Sequence, residues 1–163
     1  MHKDLLQNTL NFQHCQRNFD LTKPLDNDIT QHLYQIALST PSKQNYANFD
    51  CIAITNRQLI RQIAEVCIHE DRDNLLSNLK EEFKNGRLQN PQVDAHMILL
   101  YFPIYEHENI DHSSRTGYKK VANWKELTNM EIGISTGAVG LAANMLGLRT
   151  GFCKCFIEDD LPD

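Results

Sequence analysis

Pro41-Ser-Lys-Gln-Asn45 places a hydroxyl and an amide, those of Ser42 and Asn45, between the end of a helical stretch and a strand-forming run. Short polar side chains on a constrained backbone suit hydrogen bonding to a planar polar ligand at a strand edge. They also suit closing a helix C-terminal turn on itself, and the motif alone admits both readings. Arg17 follows the first helical stretch, where a guanidinium either holds a phosphate by paired hydrogen bonds or joins a surface ion pair. Cys153 and Cys155 flank Lys154, so on a strand they share a face. With no further ligands at matching spacing they read as two small buried apolar residues and not as a zinc site. Neither G-x-G-x-x-G nor G-x-x-x-x-G-K-S occurs, which disfavours a Rossmann dinucleotide site or a P-loop. The histidines form no H-x-x-x-H or H-x-H pattern, and no Ser-His-Asp triad can be read from chain order alone. An enzyme built from these residues takes its reactivity from a bound cofactor.

The element that must organise these residues is a helix running from Trp124 to Leu148. Gly133, Gly137 and Gly140 lie inside it, each costing up to ~1 kcal/mol relative to Ala. Leu141, Met145 and Leu148 keep an apolar spacing, and Ser135, Gly137, Ala138 and Ala142 form a second, small-residue flank. Two buried faces are predicted, one against the chain's own sheet and one against a partner subunit or a cofactor; tight packing within a monomer is the alternative.

The remaining elements follow from periodicity and punctuation. Asp4 to Gln16 reads as a first helix, and Asp26 or Asp28 caps a second that carries Ile29, Leu33, Ile36 and Ala37 on one side and stops before Pro41. Residues 50–55 and 96–102 read as buried strands, the second closed by Pro103. A polar helical region runs from Asn56 to about Lys84, and residues 106–123 form a polar connection suited to a lid or a partner contact. A last strand is expected over 150–157. Alternation of helices and strands around a small sheet indicates a layered α/β or α+β domain.

Composition narrows the function classes. A chain of 163 residues fits one domain with a workable core, and a net charge of -5 argues against nucleic acid as a partner. No apolar run reaches the ~18 residues of a membrane span, and the N-terminus lacks a signal-peptide core; a soluble, cytoplasmic protein is expected. Five cysteines, at 15, 51, 67, 153 and 155, have no framework spacing and read as reduced thiols.

In order along the chain, three segments resemble the nitroreductase family of FMN enzymes. Cys15-Gln-Arg17-Asn-Phe19 resembles the end of the family's opening Arg-Arg-Ser-x-Arg-x-Phe segment. Thr40-Pro-Ser-Lys-Gln-Asn45, followed by Phe49 and a strand, resembles its Ala-Pro-Ser-x-x-Asn loop. Gly137 through Leu141-Ala-Ala143 to Leu146-Gly-Leu-Arg-Thr-Gly151 resembles its central helix with a Leu-Gly-Leu-Gly ending.

The resemblance implies an α+β protein, a three-layer α-β-α sandwich with a small mixed, mainly antiparallel sheet. It implies an intertwined homodimer with FMN bound at sites built from both subunits, NADH or NADPH as hydride donor, and a nitroaromatic, quinone or similar acceptor in a ping-pong cycle. Carried over by position, Arg17 contacts the ribityl or phosphate with help from the backbone at Cys15, and Pro41, Ser42 and Asn45 line the flavin. Glu131 presents a polar side chain to FMN across the dimer interface, and Asn90 touches the pyrimidine side. Backbone N–H groups of Cys153, Lys154 and Cys155 reach the N5 edge. The chain departs from the family pattern at Gln13 and His14, at Ala47-Asn48-Phe49 in place of Gln-Pro-Trp, and at Asp163, where the family continues. These departures carry a second reading: a dimeric module of the same fold, poor in cofactor, with a regulatory or flavin-scavenging role.

Overall fold

The computed structural model describes residues 3–11, 16, 19–42, 45, 47–66, 94–104 and 124–153. Its elements in chain order are α1 (Lys3–Asn11), α2 (Asn27–Leu38), β1 (Phe49–Ile54), α3 (Arg57–Val66), β2 (Ile98–Pro103) and α4 (Trp124–Met145).

Local chemistry sets most of these boundaries. Asp26, of the two candidate caps, takes the N-terminus of α2: its carboxylate accepts from the Asp28 N–H at 2.9 Å, and its carbonyl accepts from Thr30. Asn56 does the same for α3, its side-chain oxygen accepting from Gln58 and Leu59 at 2.9 and 3.2 Å. The central helix stops at Met145, three residues short of the expected Leu148. Gly147 adopts φ 76°, and the N–H groups of Gly147 and Leu148 turn back to the carbonyls of Asn144 and Ala143 at 3.0 and 2.8 Å. That pair of bonds is a Schellman motif, which a residue without Cβ forms at no steric cost.

β1 and β2 pair antiparallel, with Phe49 opposite Pro103 and Ile54 opposite Ile98. The ladder extends one bond further, from Ile104 N–H to the Asn48 carbonyl at 3.0 Å. Period-two alternation divides the ribbon's side chains between two clusters. Phe49 and Cys51, with Leu99 and Tyr101, pack on Leu33 and Ala37 of α2 and on Val139 and Ala143 of α4. Ile54, with Ile98 and Leu100, packs on Ile60 and Ile63 of α3. The Phe49 and Tyr101 rings meet at 5.5 Å, within the range where tilted aromatic pairs attract. Arg57 at the start of α3 forms an ion pair with the buried Asp94 and donates to the Ala95 carbonyl, which fixes the approach to β2.

The sheet among the described residues is a two-stranded antiparallel one, without the mixed pairing expected. Residues 150–153 are irregular backbone where a strand is expected; among them Thr150 accepts from the Gln16 N–H at 2.8 Å. The first helix is described as far as Asn11. Residues 67–93 and 154–157, where the polar helical region and the last strand were expected to continue, lie outside the described residues. Among the described residues no helix is long and apolar enough to cross a membrane.

Candidate functional site

Helix α4 turns three of its polar residues inward. Thr128, Glu131 and Ser135 are 0–1 % exposed, and their spacing of three and four residues stacks them on one face. Its large apolar residues Met130, Ile134 and Met145 are 57 %, 44 % and 59 % exposed. A Cβ added at Gly133 or Gly137 meets nothing within 4 Å. Of the two buried faces expected from the sequence, the described residues show one: Ser135 belongs to that inner face, whereas Met145 lies on the exposed one. An inward hydroxyl is stable here because Ser135 Oγ donates to the Ala37 carbonyl at 2.8 Å, one of the orphan carbonyls at the end of α2. The Ser135 hydrogen being so used, the Tyr101 hydroxyl donates to Ser135 Oγ at 3.0 Å.

The Pro41 loop begins just beyond that bond. Ser42 closes it on itself, its carbonyl accepting from Asn45 N–H at 3.1 Å and its Oγ from Ala47 N–H at 2.8 Å. The self-bonded turn is therefore present, and Ser42 Oγ–H and the exposed Asn45 amide remain as polar groups of the loop. Asn45 and Ala47 have φ of 60° and 49°. Asn tolerates this left-handed region, whereas at Ala it costs roughly 1 kcal/mol. Ala47→Gly should accordingly raise stability by up to about 1 kcal/mol, read as a higher thermal midpoint with unchanged secondary structure.

Asn48 ends the loop with no exposed surface. Its backbone N–H and its side-chain amide both donate to Glu131 Oε2, at 3.2 and 2.9 Å. Glu131, expected to present its side chain across an interface, thus turns its carboxylate into its own chain at 1 % exposure. The physical reason is that a buried loop end with two N–H donors needs an acceptor, and a carboxylate is the strongest one available. Asn48 Oδ1 and Thr128 Oγ1 are buried with no hydrogen-bond partner among the described residues, an arrangement native structures usually resolve with an ordered water or a ligand donor.

Of the remaining candidates, Cys153 is half-buried and not in a disulfide. Gln16 N–H donates to the Thr150 carbonyl, three residues before Cys153. Gly151 lies flat against the Gln16 backbone, whose carbonyl a Cβ would strike. Cys15, Arg17, Asn90, Lys154 and Cys155 lie outside the described residues. Sequence reasoning missed Asn48 as a structural joint and the inward placement of Thr128 and Ser135. The signal for the helix residues was the polar spacing 128, 131, 135, which puts them on one face.

No protein-family model matches the chain, and no curated protein matches it in sequence. Solved structures do resemble it. A nitroreductase family protein from Clostridium novyi NT superposes with a TM-score of 0.63 at 17% identity, over 96% of this chain and 74% of its own. A nitroreductase with bound FMN from Desulfitobacterium hafniense DCB-2 gives 0.60 at 17% identity, over 95% and 72%. Nitroreductase A from Vibrio parahaemolyticus RIMD 2210633 gives 0.58 at 16% identity, over 90% of this chain and 53% of its own. The inward polar ridge, the closed Ser42 loop and the glycine-terminated helix are therefore carried on the nitroreductase fold.

Proposed function

We propose that the chain is an FMN-dependent oxidoreductase of nitroreductase type. In this reading it passes hydride from NADH or NADPH to a nitroaromatic, quinone or similar small acceptor, in a ping-pong cycle whose substrates occupy one site in turn. The observation that carries the reading is the likeness to a structure that holds FMN, over 95% of this chain. Residues present in the loop suit such a ligand: Ser42 Oγ accepts from Ala47 and keeps its hydrogen for donation, and Asn45 is exposed beside it. Pro41, Ser42 and Asn45 would line the ring, Arg17 and the Cys15 backbone the ribityl phosphate, Asn90 the pyrimidine side, and Cys153, Lys154 and Cys155 the N5 edge. A bound flavin supplies hydride storage; the side chains bind, orient and polarise, and none is required as a nucleophile.

The reading includes a cytoplasmic homodimer and a completed three-layer sandwich. The outward apolar face of α4, with Gly133 and Gly137 opening it to close approach, is the surface a second copy would cover.

Anaerobic mixing tests the activity. NADH or NADPH should bleach the flavin absorbance of the loaded protein, a nitroaromatic or quinone should restore it, and double-reciprocal plots should be parallel. Flavin that is bound but bleached by neither nucleotide would favour the scavenging module instead.

A further inference from the structure

One polar ridge of α4 holds both ends of the loop between α2 and β1. At the start of the loop Ser135 donates to Ala37; at its end Glu131 accepts twice from Asn48. The two anchors are four residues apart, one helical turn. Between them stand Asn45 and Ala47 with positive φ, a conformation that persists only where the surroundings impose it. Asn48 is also the joint to the sheet, since its carbonyl continues the β1 and β2 ladder. A carboxylate is a costly group to keep in an interior, and α4 meets the same core with Val139 and Ala143 further along. Packing alone therefore does not call for Glu131. A constrained loop whose last residue brings two buried N–H donors does.

We propose that Glu131 is a positioning residue: acting through Asn48, it fixes Ser42, Asn45 and Ala47 in the geometry that receives the ligand, without touching the ligand. The ligand half of this statement rests on the flavin reading above; the anchoring half does not.

The test uses the full chain, FMN as the probe, and amide hydrogen exchange. Glu131→Gln keeps the shape and one acceptor oxygen but loses the charge. It should speed exchange at Ala47 and Asn48 by about tenfold while α2 and β2 stay within about twofold, and it should weaken FMN binding roughly fivefold. Glu131→Ala should do more in both measurements, and Asn48→Ala combined with Glu131→Gln should cost little beyond either alone, because the two act as one unit. Weakened FMN binding with Ala47 and Asn48 exchange unchanged would overturn the proposal, since it would put Glu131 on the ligand itself. Unchanged exchange and unchanged binding would also overturn it. Should the unmodified chain fail to bind FMN, the flavin reading falls, and exchange at Ala47 and Asn48 alone decides whether Glu131 anchors the loop.

Discussion

Gly137→Leu should convert a dimer into monomers and release bound flavin. Among the described residues a Cβ at position 137 finds nothing within 4 Å, so the first atom of the new side chain has room. Replacing a helix-interior glycine also gains about 1 kcal/mol of helix propensity, so an isolated chain should become more stable. In the proposed dimer the sign reverses. The position lies on the outward face with Met130 and Ile134, and symmetry places the added side chain at the seam twice. Overpacking costs about 1–3 kcal/mol per copy, which weakens dimerisation roughly thirtyfold or more. Sedimentation at several concentrations checks the mass, and the thermal midpoint checks the sign. A stabilised chain of unchanged mass would remove the partner face from the account.

Alkaline pH should unfold the protein through the pair Cys51 and Tyr101. Burial pushes the Cys51 thiol from about 9 up to about 11, against a smaller opposing pull from the Tyr101 hydroxyl. Burial likewise pushes Tyr101 from 10 up to about 12; its bond to Ser135 opposes this, and the neighbouring Cys51 charge adds to it. Both folded-state values lie above those of the unfolded chain. The stability the neutral forms contribute is therefore complete below about pH 9 and is lost as pH rises toward 11 and 12. At 1.36 kcal/mol per unit, each group accounts for roughly 2–3 kcal/mol, less for the more exposed Tyr101. Denaturant midpoints from pH 7 to 12 should fall along this limb. Tyr101→Phe should cost about 1 kcal/mol at neutral pH through the lost bond to Ser135, and flatten the limb by about half. Parallel curves for the two proteins would place the alkaline transition elsewhere.

The elements whose signals are local were legible in the sequence. Asp26 and Asn56 mark helix starts because each forms its bonds within a few residues, and the strands around Ile52 and Leu100 announce themselves by apolar runs; Gly147, whose bonds are as local, falls within the helix predicted to reach Leu148. The exposed and buried faces of α4 were legible as two, but not as which, because small residues fit either side. Only the long-range bonds from Ser135 to Ala37 and from Glu131 to Asn48, over 98 and 83 residues, decide the matter. Ser42 closes the turn as its side chain permits. Ala47 in the left-handed region carries no local signal at all, since tertiary anchoring at Asn48 imposes it. Of the strand expected at 150–157, only 150–153 are described, and there Thr150 accepts from Gln16.

The account turns on whether this fold receives a flavin. Titrating the full chain with FMN, and following the quenching of flavin fluorescence, measures that directly. Saturable quenching at one FMN per chain, with a yellow protein retained through gel filtration, is the predicted result. A colourless protein and unquenched FMN at every concentration would contradict it.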